Sequence, residues 1–289
     1  MAREKKEYTA AVTRKGDGII LPETGSLPEI INVLQRLHEW EETVTAIGTT
    51  MSVAPWDGAY ALQRALKENT GVFIQNAGSQ IEVEVDYGKT EVIPWGSFEL
   101  PGMDGGTVAT GTTFEEGLVV FQANARVRRK YEARVRRIFD RARELAMTEC
   151  LHRGKAFSMQ FRDDDGDALP MPKPKFFRIA GEDPIFSKTL QSSIDRNILT
   201  PVQYAAQLRK LGKSMKKGVL LAGPYGVGKT LLASYLAREV TKHGWTYIYV
   251  KDAEDLYNAL RWAVRYQPVV VQAEDVDRVA GGEHRTDEI

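Results

Sequence analysis

The 289-residue chain carries 39 basic and 39 acidic side chains, a formal net charge of +0, which argues against a protein held on nucleic acid by bulk charge alone. With 43% apolar residues it can fill a sizeable core, and its one cysteine, Cys150, leaves no disulfide scaffold and no cysteine-rich zinc site. No apolar run is long enough to span a bilayer, and the opening MAREKKEYTAAVTRKG lacks the apolar core of a signal peptide, so a cytoplasmic protein without membrane contact is expected.

In chain order, LPEIINVLQRLHEWEE predicts a helix with Pro28 in its first turn and Ile30, Ile31, Leu34 and Leu37 on one face. A second helix is predicted over 57–68, capped by Asp57. The period then changes. GVFIQNA, IEVEVDY, TEVIPW and GLVVFQA predict strands separated by glycine-containing turns, and the glycine-rich stretch 96–113 predicts loop and strand edge. A long helix is predicted over 123–149, with Val127, Tyr131, Val135, Ile138, Phe139, Ala142 and Leu145 as its apolar stripe. Its other faces are rich in arginine. A solvated or interdomain face is the leading reading, with a protein contact or nucleic acid as alternatives.

AFSMQF at 156–161 predicts an edge strand, and RDDDGDALPMPKPK reads as an acidic turn running into a proline-rich linker. The aspartates at 163, 164, 165 and 167 lack the calcium-loop spacing, so they read as a solvated turn. The linker divides the chain into an N-terminal mixed α+β domain over 1–168, a connecting segment over 169–178 and a second domain over 179–289. In the first, His38 reads as a helix-surface group, His152 as a group near helix C-terminal carbonyls, and Cys150 as buried rather than nucleophilic.

The second domain carries the chemistry. Residues 218–230 read GVLLAGPYGVGKT. Val219 to Ala222 suits a buried parallel strand, Gly223 to Thr230 satisfies G-x-x-x-x-G-K-[ST], and LLASYLAREVTKHG continues as a helix. Gly223, Gly226 and Gly228 let the backbone curl so that the loop, from Gly223 through Pro224, Tyr225, Gly226, Val227 and Gly228 to Leu231, surrounds phosphate oxygens with the N–H groups of its residues other than proline. The helix N-terminus adds donors and a favourable dipole. Lys229 is expected to reach the outer phosphates of ATP, and Thr230 to offer its hydroxyl to Mg²⁺.

TYIYV at 246–250 predicts the next strand, and DAEDLYNALRWAVRYQ a helix with Leu256, Leu260 and Val264 on one face. PVVVQAEDVDRV then supplies an apolar strand ending in acids. Glu274 is expected to serve the metal and Asp275, by position, to polarise the attacking water, the two being able to share duties.

On these pieces, residues 176–289 resemble the AAA subgroup of the AAA+ ATPases. KKGVLLAGPYGVGKT is similar to the family's strand and phosphate loop, with Tyr225 where a second proline is usual. PVVVQAEDVDRV is similar to its acidic strand end, with the usual Asp–Glu order inverted. FFRIAGEDPIF is similar to the family's leading segment, which would place Ile179 and Ala180 beside adenine. The resemblance implies an α/β P-loop core with a parallel sheet, Mg-ATP as cofactor, and catalysis by Asp275, Glu274 and Lys229. It also implies assembly into a homo-oligomeric ring, usually a hexamer, acting on a client protein or nucleoprotein. The sequence departs from the family in two respects. The interval between Val250 and Pro268 has no glycine, unlike an aromatic–glycine pore loop, and the chain stops at Ile289, ahead of the family's sensor, arginine finger and lid. Arg278 and Arg285 come too early for the finger. The expectation is therefore a partial module that binds ATP and hydrolyses it poorly. Two functions follow: an ATPase that remodels a protein or nucleoprotein assembly, or a nucleotide-gated assembly module with little hydrolysis and no threading.

Overall fold

The computed structural model of the chain describes residues 13–15, 18–20, 26–72, 79–163, 165–179, 184–224 and 226–276. A short antiparallel ribbon, β1 (Thr13–Lys15) with β2 (Gly18–Ile20), precedes helix α1 (Leu27–Glu42). Glu29 reaches back to accept from the Ser26 N–H at 2.9 Å, which satisfies one donor that the helix start leaves open. On α1, Ile30, Leu34 and Leu37 are half-buried as expected, whereas Ile31 is exposed.

Strand β3 (Val44–Met51), which the sequence reading missed, leads to α2 (Pro55–Thr70). Pro55 begins α2 after Ala54, and Gly71 closes it at φ 71°, a left-handed conformation that suits glycine. The expected strand from Gly71 is not formed at its start; residues 73–78 lie outside the described set. β4 (Ser79–Asp86) and β5 (Lys89–Trp95) form the hairpin anticipated from IEVEVDY and TEVIPW. β6 (Ser97–Glu99), β7 (Thr107–Glu115) and β8 (Leu118–Arg128) join β3 in an antiparallel sheet of order β3-β8-β7-β6.

The long helix expected over 123–149 starts later, as α3 (Glu132–Thr148). Ala123, Ala125 and Val127 are buried at every second position and sit opposite Thr49, Ile47 and Thr45 of β3, so this stretch completes β8. On α3 the inner stripe is Val135, Ile138, Phe139, Ala142 and Leu145, as anticipated. Several of its arginines are paired in place: Arg136 with Glu132, Arg143 with Asp140, and Arg141 with both Glu68 and Glu144. Such surface pairs add little stability, but they neutralise much of the basic face.

A second sheet has the order β10-β9-β11-β12, from β9 (Ala156–Arg162), β10 (Ala168–Phe176), β11 (Thr246–Val250) and β12 (Val269–Ala273). β11 runs parallel to β12 on one side and to β9 on the other, with Tyr247 opposite both Val270 and Ala156, while β10 pairs antiparallel with β9. The sheet is therefore mixed rather than all parallel. Most of the segment expected as a linker, 169–178, is strand. Prolines 170, 172 and 174 give no N–H to a ladder, and β10 accommodates them because it lies at the sheet edge.

The buried strand expected at Val219 to Ala222 is not formed. β9 and β12 occupy both edges of β11, and the segment forms neither helix nor strand, with Val219 45% and Leu220 84% exposed. Upstream, α4 (Lys188–Ile194), a π turn at Asp195–Leu199, α5 (Thr200–Gln203) and α6 (Ala205–Lys210) form a helical arm that sequence reading did not anticipate. α7 (Lys229–Lys242) follows the phosphate loop. It packs Leu232, Leu236, Ala237 and Val240 into a cluster with Ile194, Val202 and Tyr247.

α8 (Leu256–Ala263) buries a different face from the one expected. Ala259, Trp262 and Ala263, with Tyr266 just beyond, face the core, and Leu260 and Val264 are exposed. The larger aromatic surface decides the orientation, because Trp262 stacks on Trp56 of α2, ring centroids 5.7 Å apart.

Asp57 lies in the first turn of α2 but caps nothing. It is buried, its Oδ1 accepting from the Leu151 N–H at 2.8 Å and its Oδ2 from the Tyr266 hydroxyl at 3.2 Å. His152, fully buried, pairs its Nε2 with the Glu84 carbonyl at 2.7 Å, not with a helix end, and its Nδ1 stands 4.0 Å from Asp57 Oδ1. Cys150 is half-buried, and burial together with nearby Asp57 pushes its thiol well up, away from nucleophilic use.

Burial holds the His152 pKa below its usual 6.5, so the folded chain keeps the ring neutral. The unfolded chain then binds the extra proton, and stability is full above about pH 6.5 and falls as pH drops below it. Urea unfolding between pH 5 and pH 7.5 should show this loss, and His152→Gln should flatten that part of the profile. A profile as steep in the variant as in the parent would remove His152 as its source.

Candidate nucleotide site

The phosphate loop joins an irregular run, 218–224, to the N-terminus of α7. Gly226 and Gly228 have φ values of 81° and 90°, and Gly228 is the residue on which α7 begins. Both lie in the left-handed region, where side chains other than glycine are strained, so these two glycines make the bend possible. Gly223 matters for space: a Cβ there would come within 3.2 Å of Val227 Cγ2.

Lys229 folds back over the loop, its ammonium donating to the Gly223 carbonyl at 2.6 Å and the Pro224 carbonyl at 2.9 Å. One residue on, the Thr230 hydroxyl donates to Glu274 Oε1 at 3.4 Å, across 44 positions of sequence. Glu274 is held there because it follows β12 directly, its own N–H donating to the Val250 carbonyl at 3.3 Å. A hydroxyl and a carboxylate oxygen side by side form a donor set suited to a hard divalent cation such as Mg²⁺. The backbone donors and dipole of the α7 start, together with the Lys229 charge, suit a phosphate chain.

Asp275 is exposed and holds φ 51°, a left-handed conformation that aspartate tolerates better than most residues. Ile179 packs beside the cluster of Leu232, Leu236 and Tyr247, on the α7 side of the sheet. Val227 and Leu231 are exposed, Leu231 one turn into α7. Tyr225 and Ala180 lie outside the described residues. A separate groove lined by Pro184, Gln191, Tyr235, Arg238, Glu239 and Lys242 contains no phosphate-loop residue, and its charges pair locally, Lys242 with Glu239 at 2.6 Å.

Sequence reasoning missed the aromatic side of the site. Tyr247 and Tyr249 alternate on the face of β11 that looks toward α7, and Phe177 packs edge-on against both rings at 6.4 and 5.9 Å. Burial first, then the Glu274 carboxylate beside it, push the Tyr249 phenol up to about 12, so it keeps its proton. The TYIYV alternation was legible, but linking Tyr249 to Glu274 requires the strand register.

Residues 203–275 match the family described as nSTAND3, Novel STAND NTPase 3. The second part of the chain is similar to a STAND-type NTPase module. The chain is also 32% identical over 129 residues to the ATP-dependent zinc metalloprotease FtsH 3 of Sphaerobacter thermophilus, a match covering 41% of this chain and 24% of that protein. It is 49% identical over 57 residues to the Nuclear valosin-containing protein-like protein of Mus musculus, covering 20% of this chain and 6% of that protein. The chain thus spans about a quarter or less of the curated relatives it matches. These likenesses support a nucleotide-binding ATPase of the broad AAA+/STAND kind, not the AAA subgroup in particular. No helix among the described residues is long and apolar enough to cross a membrane.

Proposed function

We propose that the chain is the nucleotide-handling part of a Mg-ATP-dependent ATPase that works within a homo-oligomeric ring, expected to be a hexamer, to remodel a protein or nucleoprotein assembly. The observation that carries this reading is the convergence of Lys229, Thr230 and Glu274 at the start of α7. In the proposed mechanism the loop amides and the α7 dipole hold the phosphates, and Lys229 exchanges its two carbonyl partners for phosphate oxygens. Thr230 and Glu274 are the groups that would hold Mg²⁺, which when bound neutralises charge developing on the phosphates. Asp275 orients and deprotonates the attacking water, the role assigned to it by its place after Glu274.

Asp275→Asn tests that role with little disturbance, because asparagine also tolerates the left-handed backbone at this position. ATP affinity should stay within about twofold while turnover falls by about a hundredfold or more, within the range of general-base losses. Equilibrium binding of a fluorescent ATP analogue and phosphate release, measured on the same samples, check both. Unchanged turnover would remove Asp275 from the chemistry.

A second reading is a nucleotide-gated assembly module with little hydrolysis. It draws on the glycine-free interval after Val250, where Tyr257 and Leu260 of α8 and Val264 just after it are exposed. ATP-dependent change in oligomeric state without phosphate release would favour it.

A further inference from the structure

The register of β11 against β12 contains a repeated diagonal. Tyr247 stands opposite Val270, and its hydroxyl donates to Gln272, two residues further along β12, at 2.5 Å. Tyr249 stands opposite Gln272, and the residue two further along is Glu274. Strand side chains alternate faces, so Tyr247, Tyr249 and Gln272 share the face that looks toward α7, and Glu274, just past β12, lies on the same side through its contact with Thr230 of α7. The same diagonal directs the Tyr249 hydroxyl at the Glu274 carboxylate, whose nearness adds to burial in raising the phenol, as the Tyr247 hydroxyl is directed at Gln272 one rung earlier. Phe177 backs both rings and limits how far they swing. On the other side, Glu274 meets Thr230 at 3.4 Å.

We infer that Tyr249 is a positioning residue of the nucleotide site: from the neighbouring strand it holds the Glu274 carboxylate toward Thr230, so that both oxygens are in place for a divalent cation. The inference rests on the nucleotide-site reading above. Glu274 sits just past the end of β12, where the ladder no longer directs its side chain, and a flexible glutamate gains most from a second anchor. Removing the anchor leaves the ligand present but unaimed. Partners behind a metal ligand typically carry about tenfold or more in metal affinity.

The test is the Mg²⁺ dependence of binding of a fluorescent ATP analogue to the whole chain, with affinity in EDTA measured alongside. Tyr249→Phe should raise the Mg²⁺ midpoint about tenfold and leave metal-free affinity unchanged. Tyr247→Phe, which removes the matching hydroxyl one rung away, should leave the midpoint in place. In a Glu274→Gln background, Tyr249→Phe should have no further effect, a cycle that removes general structural losses from the comparison. An unchanged midpoint in Tyr249→Phe, or an equal rise in Tyr247→Phe, overturns the positioning role while the nucleotide site stands. A parent chain that binds no nucleotide with or without Mg²⁺ overturns the site reading and this inference together.

Discussion

Lys229→Ala should weaken ATP binding by roughly a hundredfold or more. The side chain now bridges two loop carbonyls, at 2.6 and 2.9 Å, which keeps its ammonium over the loop that bends at Gly226 and Gly228. A hydrogen bond to a charged group contributes about 1.5–3 kcal/mol, so losing this one alone costs about tenfold to a hundredfold. Losing its Coulomb attraction for the phosphates as well carries the expected effect to the upper end. The partners it leaves behind are carbonyls of an exposed loop, which water can satisfy, so melting should change little. Fluorescence titration with an ATP analogue and a thermal melt on the same variant separate the two effects. Binding within threefold of the parent would mean that the loop does not hold phosphate in the manner proposed.

The other large effect concerns stability. Trp56→Ala should cost about 3–5 kcal/mol, the range for deleting a large buried aromatic ring. Trp56 is 1% exposed, stacks on Trp262 and meets His152 edge-on at 5.9 Å. Neither neighbour is free to fill the hole, because His152 is tied to the Glu84 carbonyl and Trp262 is carried on α8. Urea denaturation followed by circular dichroism gives the loss directly, and a cost below about 1 kcal/mol would show that the site collapses around the smaller side chain. Because Trp262 lies between β11 and β12 in sequence, nucleotide affinity should also fall in urea well before it does in the parent.

What the sequence made legible was local. The phosphate loop is a short pattern whose meaning depends on nearby glycines, α7 follows from the helix-like run that continues it, and β11 and β12 follow from short apolar runs. The hairpin at 79–95 follows from alternation alone. What escaped was decided by distant neighbours. Val219 to Ala222 has the composition of a buried strand, yet β9 takes the place beside β11, and nothing within seven or eight residues of either segment announces that choice. The prolines of 170–174 read as linker because their tolerance at a sheet edge depends on which strand is outermost. On α8, two helical faces were both apolar, and Trp56, two hundred residues upstream, selected the one carrying Trp262. The pairing of Tyr249 with Glu274 depends in the same way on register, which no single strand contains.

The placement of β9 has a practical consequence for anyone dissecting the chain. A nucleotide-binding fragment cut to begin at residue 179 would leave one side of β11 without its hydrogen-bonding neighbour and would uncover apolar surface that Phe157 and Phe176 now cover. A bare, apolar strand edge recruits further strands, so such a piece is prone to stick to itself. A dependable nucleotide-binding piece therefore keeps β9 and also α2, on which Trp262 and Tyr266 rest, so it starts well before the proline-rich stretch that looks, in the sequence, like the natural place to cut.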